Sequence, residues 1–261
     1  MEIIVCIKQV PDTTEVKIDP VKNTLIRDGV PSIVNPFDRI ALEAAVQLKE
    51  KHGGRVRVIT MGPPMAKEAL KECLAVGADE AVLISDRAFA GADTLATSHA
   101  LAAAIGRMGP VDLILCGKQA IDGDTAQVGP GISVRLGMPQ VTYAVKIELA
   151  GGSLKIERES ETGFETYEAA MPVMVTAAKA LAQPRYPTVK GTMKANRAQI
   201  PVWTAADIGA DPKKIGLNGS PTQVRRVFVP PARAKGEIIR AGSAAESVAL
   251  LIQKLGEAGI V

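Results

Sequence analysis

The sequence predicts an α/β fold: a doubly wound, mostly parallel sheet with a β-hairpin addition and an extended C-terminal arm that ends in a helix. Three observations carry this expectation. Through residue 145, short apolar runs alternate with segments of helical period, the signature of βαβ units with helices on both faces of a parallel sheet. After Glu148 the pattern changes to the two-residue alternation of a hairpin. Beyond Pro184 the chain is irregular and rich in Pro, Gly, Lys and Arg, with too few apolar residues for a core of its own. The expected division is 1–183 as the α/β domain and 184–261 as the arm.

Each element follows from its residues. Ile3-Ile4-Val5-Cys6-Ile7 is a buried strand. Residues 38–51 place Ile40, Ala44, Ala45 and Leu48 at helical spacing. Residues 55–61 read as a strand and 64–76 as a helix, with Pro64 in its first turn and Gly77 as its C-cap. Residues 80–85 are a strand, 93–107 a helix, 111–116 a strand, 125–136 a helix and 140–147 a strand. Residues 153–158 and 164–170 pair as a hairpin around Glu161-Thr162-Gly163, and 171–177 is a further apolar strand. Thr204-Ala205-Ala206-Asp207 cues a short helix, 221–235 an extended arm, and 244–257 an amphipathic helix through Val248, Leu251, Ile252 and Leu255, opened by Ser243.

Composition narrows the function. With 261 residues, 47% of them hydrophobic, the chain can bury a full core. A net charge of +3, with acids and bases interspersed and no basic stripe, argues against nucleic acid. Three widely spaced cysteines (Cys6, Cys73, Cys116) without a CxxC pair argue against a disulfide framework or zinc site and fit a reducing compartment. No signal peptide precedes the first strand and no apolar run is long enough to span a membrane, so a cytoplasmic protein is expected.

The most informative segment is Cys116-Gly117-Lys118-Gln119-Ala120-Ile121-Asp122-Gly123-Asp124-Thr125-Ala126-Gln127-Val128-Gly129. A buried strand breaks at a glycine, passes through small polar residues and re-enters a helix near Thr125. Free amides at a helix N-terminus attract anions, and the glycines let backbone approach a ligand. The alternative is an ordinary strand-to-helix turn capped by Asp124 or Thr125, since the spacing matches neither standard phosphate loop.

In doubly wound sheets ligands bind beyond the C-terminal strand ends. That rim also gathers Lys8, Asp12, Met61 and Asn35-Pro36-Phe37-Asp38. A second segment stands out: Gly91, Asp93 and Thr94 precede a helix, Thr97 and Ser98 lie one turn on, and Arg87 is suited to pair with a phosphate or with an electron-rich flavin ring. Its alternative is a capped helix after a glycine loop. For Lys8 the alternative is a solvated lysine at a strand end, and Asp12 reads equally as a turn residue. His52 reads as a surface residue and His99 as a packing or capping one. No catalytic triad, metal-spaced cluster or paired carboxylates can be assembled, so the residues describe a nucleotide binder rather than a hydrolase.

Asn35-Pro36-Phe37-Asp38 with Ala41-Leu42-Glu43-Ala44-Ala45, Ala75-Val76-Gly77-Ala78-Asp79, Gly117-Lys118-Gln119-Ala120-Ile121-Asp122-Gly123-Asp124 and Pro184-Arg185-Tyr186 together resemble the beta subunit of electron transfer flavoprotein. The resemblance runs from Met1 to about Trp203 and more loosely onward. It implies a Rossmann-like sheet of the adenine nucleotide alpha hydrolase type, in a heterodimer whose alpha subunit holds an FAD and is embraced by the C-terminal arm. In the ordinary branch the beta subunit binds a structural AMP and carries electrons from acyl-CoA-type dehydrogenases. The implied nucleotide contacts are Cys6, Asn35, Pro36, Phe37, Asp38, Met61 and Gly117 to Val128. The segment after Pro184-Arg185-Tyr186 resembles the loop that docks on dehydrogenases, with Val189 in place of the family's anchor leucine.

Asp86-Arg87-Ala88-Phe89-Ala90-Gly91-Ala92-Asp93-Thr94-Leu95-Ala96-Thr97-Ser98 and Val10-Pro11-Asp12-Thr13-Thr14-Glu15-Val16 resemble the electron-bifurcating branch. There a second FAD replaces AMP and takes a hydride from NADH. One electron then goes through the alpha-subunit FAD to a dehydrogenase, the other to a low-potential acceptor such as ferredoxin or flavodoxin. The chain is then an electron-carrier subunit of an NADH-dependent complex rather than a stand-alone enzyme, with Arg87 beside the flavin ring. Two other classes fit less well. An ATP pyrophosphatase needs a Ser-Gly-Gly-x-Asp-Ser loop where Lys8-Gln9-Val10-Pro11-Asp12 stands, and a solitary nucleotide-sensing module has no use for the arm.

Overall fold

The computed structural model describes residues 1–12, 31–225, 228 and 235–261, with the backbone alone of 17–18 and 25–26. The first strand, β1 (Glu2–Cys6), leads through β2 (Gln9–Pro11), β3 (Lys17–Ile18), β4 (Leu25–Ile26) and β5 (Ser32–Val34) into α1 (Pro36–His52). Then follow β6 (Arg55–Met61), α2 (Lys67–Val76), β7 (Glu80–Ile84), α3 (Thr94–Arg107), β8 (Leu113–Gly117) and α4 (Val128–Leu136). The antiparallel addition is β9 (Gln140–Ala150), β10 (Ser153–Ser160) and β11 (Gly163–Ala170), after which β12 (Val173–Ala177) returns to the sheet. The chain ends with α5 (Val189–Arg197), β13 (Val202–Trp203) and α6 (Ala244–Glu257).

One sheet holds nine strands in the order β11-β10-β9-β12-β8-β1-β6-β7-β13, and the seven from β9 to β13 across that order run parallel. From β1 the chain moves outward through β6 and β7, then crosses back to place β8 on the other side of β1. The strand order therefore reverses between β1 and β8, the place where such sheets open a crevice.

Both faces are covered, as expected. On β1, Ile3 and Val5 point to the core beneath α1 and α2, while Ile4 and Cys6 point to the core beneath α3 and α4. Leu113 and Leu115 of β8 divide from Ile114 and Cys116 in the same way. This period-two division inside a continuous apolar run is what a strand buried on both faces requires. Each such side chain contributes roughly 1.5–3 kcal/mol on burial.

Several helix ends follow local chemistry. Pro36 opens α1, where its missing N–H costs nothing, and Lys49, Lys51 and His52 sit favourably in the last turn. Gly77 closes α2 at φ +133°, as expected of a C-cap. Ser243 and Glu246 close a reciprocal capping box on α6.

Four local expectations are corrected. The helix expected from residue 125 begins at Val128, because Asp124 (φ +47°) and Ala126 (φ +53°) are left-handed and cannot belong to it. The helix expected over 64–76 opens as a 3₁₀ turn, Pro64–Ala66, before α2. Residues 204–207 form a turn rather than a helix, since the Asp207 carboxylate accepts from the Thr204 amide (2.8 Å) and hydroxyl (2.7 Å). The chain after Pro184 is more ordered than its composition suggests: it supplies α5, the edge strand β13, and Ala195, Ile208 and Ile215 to the buried cores. Of the arm over 221–235, residues 226–227 and 229–234 lie outside the described residues. No residue of α6 is buried, and Val248 and Ile252 are more than half exposed. Among the described residues no helix is long and apolar enough to cross a membrane.

Candidate functional site

The rim over the β1–β8 switch point is built on two buried side chains of the Asn35–Asp38 turn. Asp38 accepts from the backbone N–H of Lys8 (2.7 Å) and of Gly117 (3.1 Å), tying the end of β1 to the end of β8. Asn35, fully buried, donates its amide to the Gln119 carbonyl (2.8 Å) and accepts from the Ile121 N–H (3.1 Å). The first turn of α1 thus holds both strand ends and the start of the loop after β8. Gly117 permits the approach: a Cβ there would overlap the Asp38 carboxylate and stand 2.7 Å from the Phe37 backbone.

The loop itself could cradle an anion. Gly123 and Asp124 donate to the Ala120 carbonyl, Gln119 donates to the Asp124 carboxylate (2.8 Å), and Lys8 Nζ meets Asp122 at 2.7 Å. Among the described residues, the amides of Thr125, Ala126, Gln127, Val128 and Gly129 have no acceptor. Ala126 is left-handed and Gln127 right-handed (φ −103°, ψ −24°), the alternation that makes successive N–H groups converge on an anion. Gly129 packs where a Cβ would come within 2.9 Å of Thr176, and the Gln127 side chain does not cap α4. Free N–H groups so arranged could hold a phosphate.

The floor is apolar. Cys6 and Cys116 stand side by side across the strands, free and buried. The hydrogen bond that the Cys116 thiol makes to Cys6, with burial, pushes that thiol well above its usual range, so Cys116 stays protonated. Burial drives Asp38 from 3.8 up to about 7, against the hydrogen bonds from Asn35, Lys8 and Gly117 that favour the carboxylate.

The second segment borders the first. Thr94 Oγ1 lies 2.7 Å from Gln127 Oε1, joining the head of α3 to the cradle. Asp93 turns inward as a cap: its carboxylate accepts from the amides of Leu95 and Ala96 and from the amide and hydroxyl of Thr222. Those bonds hold it below the usual carboxylate range despite desolvation. Asp93 and the Thr97 N–H, which bonds the Asp93 carbonyl, are thus committed within the chain. Arg87 sits exposed on the 3₁₀ turn Arg87–Phe89, and its guanidinium has no partner among the described residues. Thr13 to Val16 lie outside those residues.

Comparison with known proteins gives this geometry a family. Residues 22–208 match the electron transfer flavoprotein domain. The electron transfer flavoprotein subunit beta of Megasphaera elsdenii is 54% identical over 247 residues, 92% of either chain. The CarD subunit of the caffeyl-CoA reductase-Etf complex of Acetobacterium woodii is 53% identical over 262 residues, the full length of both, and protein FixA of Azorhizobium caulinodans is 50% identical over 243 residues, 90% of this chain and 86% of its own. The chain belongs to the electron transfer flavoprotein beta-subunit family.

Within this electron transfer flavoprotein chain, the residues named for the nucleotide divide by what their side chains do. Asn35 and Asp38 face backbone and frame the site. Pro36 and Phe37 shape the turn that Gly117 packs on. Lys118 reaches away from the cradle, its Nζ 4.9 Å from the ring centroid of Tyr143. Sequence reasoning misses Tyr143. It is left-handed (φ +60°), beside a register shift between β12 and β9, and the Arg158 guanidinium lies 5.8 Å from the same ring centroid. Nothing in its sequence neighbours signals that conformation. Val189 opens α5, 81% exposed, beside exposed Tyr186 and Met193. The base of this segment is fixed by Arg185, which bonds Glu43 (2.8 and 2.9 Å) and Glu50 (2.6 and 2.9 Å) of α1. No group of three or more His, Cys, Asp or Glu among the described residues is placed to hold a metal.

Proposed function

We propose that this chain binds FAD over the β1–β8 switch point and serves, paired with an alpha subunit carrying its own FAD, as the bifurcating half of an electron transfer flavoprotein. An FAD bound there would supply two-electron chemistry, taking a hydride from NADH so that one electron could pass through the alpha-subunit FAD to a dehydrogenase and one to a low-potential acceptor such as ferredoxin or flavodoxin. The observation that carries this reading is the Thr94–Gln127 contact, which joins the amide cradle to the segment bearing Arg87. One extended dinucleotide spans both. The full-length likeness to a subunit of a caffeyl-CoA reductase-Etf complex supports the same reading.

The residues divide the work. The amides of residues 125–129 hold phosphate, and Asp38 and Asn35 fix the frame so that those amides need no reorganisation on binding. Arg87 supplies positive charge where negative charge accumulates on reduction. The exposed Val248 and Ile252 face of α6 and the Val189 segment are left for the alpha subunit and the dehydrogenase.

A second reading, structural AMP with a single phosphate, draws on Asp93. Its carboxylate already fills the head of α3, where a second phosphate is expected on the first reading. The two readings separate by reduction: anaerobic titration of the heterodimer with NADH bleaches a beta-site flavin on the first and finds none on the second. In the same titration, Arg87→Ala is expected to lower that flavin's two-electron potential by roughly 20 mV, the equivalent of about 1 kcal/mol of lost charge interaction. An unchanged potential removes Arg87 from the site.

A further inference from the structure

Beside the head of α3 lies an open cleft of about 520 Å³, lined by Leu95, Arg135, Lys213, Lys214 and Ser220 among others. It belongs to neither the amide cradle nor the Val189 segment. Its wall is the turn over 211–220, which is seated firmly on the loop before α3. Gly216 is left-handed (φ +55°) and its missing Cβ makes room for the Ala88 carbonyl, while Leu217 rests on Gly91, whose Cβ would stand 2.6 Å from Leu217 Cγ.

The charges here are unbalanced. Lys213 has no side-chain partner among the described residues, and Lys214 reaches only Asp211, at 4.0 Å. Arg135 bonds Ser98 Oγ (3.0 Å) and the Leu95 carbonyl (3.0 Å), neither of them charged. Asp93 is turned away into its cap. Burial, with Arg135 and Lys214 nearby, holds His99 below the usual histidine value, so it adds no charge at neutral pH. Three cations thus stand against Asp211. Among them Leu95 is open to solvent, at 49%.

We propose that this cleft is the docking face for a small acidic one-electron carrier protein, the low-potential acceptor of the proposed function, on which this inference rests. An exposed leucine ringed by cations on flexible stems suits a protein better than a free phosphate, which would be met by converging amides of the kind the loop after β8 has. Small interfaces steered by opposite charge are typical of transient electron-transfer encounters. The location fits: Leu95 directly follows Thr94, which touches Gln127 of the cradle. The carrier gains one electron from the FAD reduced by NADH, and no bond is made or broken.

The test uses the heterodimer with its dehydrogenase, NADH and a [4Fe–4S] ferredoxin, comparing wild type with Lys213→Glu/Lys214→Glu. Both lysines are surface residues outside the cradle. The variant is expected to raise the KM for ferredoxin about tenfold at low ionic strength, with the salt dependence largely lost and the NADH reduction of flavin unchanged. Lys213→Arg/Lys214→Arg should retain the wild-type KM. An unchanged ferredoxin KM in the charge-reversed pair overturns the proposal, as does protection of both lysines from acetylation by the alpha subunit itself, or inorganic phosphate binding lost in the variant while ferredoxin kinetics stay the same. If NADH reduces no beta-site flavin, the functional reading falls first. Direct titration of wild type and variant with oxidised ferredoxin then still decides whether the cleft binds it.

Discussion

Asp38→Ala is expected to destabilise the chain by roughly 2–5 kcal/mol and to weaken nucleotide binding at least tenfold. Two backbone N–H groups, of Lys8 and Gly117, lose their acceptor at once, and each buried unpaired donor costs about 1–3 kcal/mol. The ends of β1 and β8 lose their common anchor, and the loop carrying the free amides loses half of its frame. Urea unfolding and nucleotide titration read the two effects separately. Loss of stability with undiminished nucleotide affinity would show that Asp38 frames the fold and not the site.

The same residue predicts a pH dependence. In the folded chain its pKa stands at about 7 against the ordinary 3.8 of an exposed aspartate, so the folded form binds this proton more tightly than the unfolded one. The resulting stabilisation is fully present below about pH 4 and is lost as pH rises through 7, by up to about 1.4 kcal/mol per unit for this one group. Asp38→Asn, which cannot titrate, should flatten that part of the stability profile.

Gly117→Ala is expected to be the most damaging single methyl group in the site. Its Cβ would overlap the Asp38 carboxylate and press within 2.7 Å of the Phe37 backbone, and backbone does not yield as a flexible side chain does. Overpacking of this kind costs about 1–3 kcal/mol. To relieve it, the head of α1 must move away and the Asp38–Gly117 bond must stretch. The nucleotide recovered with the purified protein should fall at least tenfold. Gly123→Ala is the control, since nothing lies within 4 Å of its Cβ position and its φ is not left-handed. If both variants retain their nucleotide equally, close packing at Gly117 is not a requirement of the site.

What sequence could and could not convey follows from which interactions are local. The doubly wound sheet was legible because buried parallel strands are continuous apolar runs and helices repeat at their own period. Gly77 and Ser243 were legible as a C-cap and an N-cap because those roles depend on the residue itself. The start of α4 is displaced from its expected place because Thr125 has the character of a cap, while the left-handed turns at Asp124 and Ala126 are imposed by the surrounding loop. Residue type alone says little of such strain. α5 leaves no pattern because it buries only Ala195, too little for a helical stripe of apolar residues. In the site, Asn35-Pro36-Phe37-Asp38 and the loop after β8 are picked out together by resemblance, yet their chemistry is backbone to side chain across the fold, with Asn35 reaching residues 119 and 121. Sequence names such residues without saying whether they touch a ligand or hold the amides that do.

Whether the nucleotide over the β1–β8 switch point is a second FAD is decided most directly by the content of the purified alpha–beta heterodimer. Acid extraction, followed by separate quantification of FAD and AMP against protein, reads it. Two FAD per heterodimer with no stoichiometric AMP is the result expected; one FAD accompanied by one AMP contradicts it.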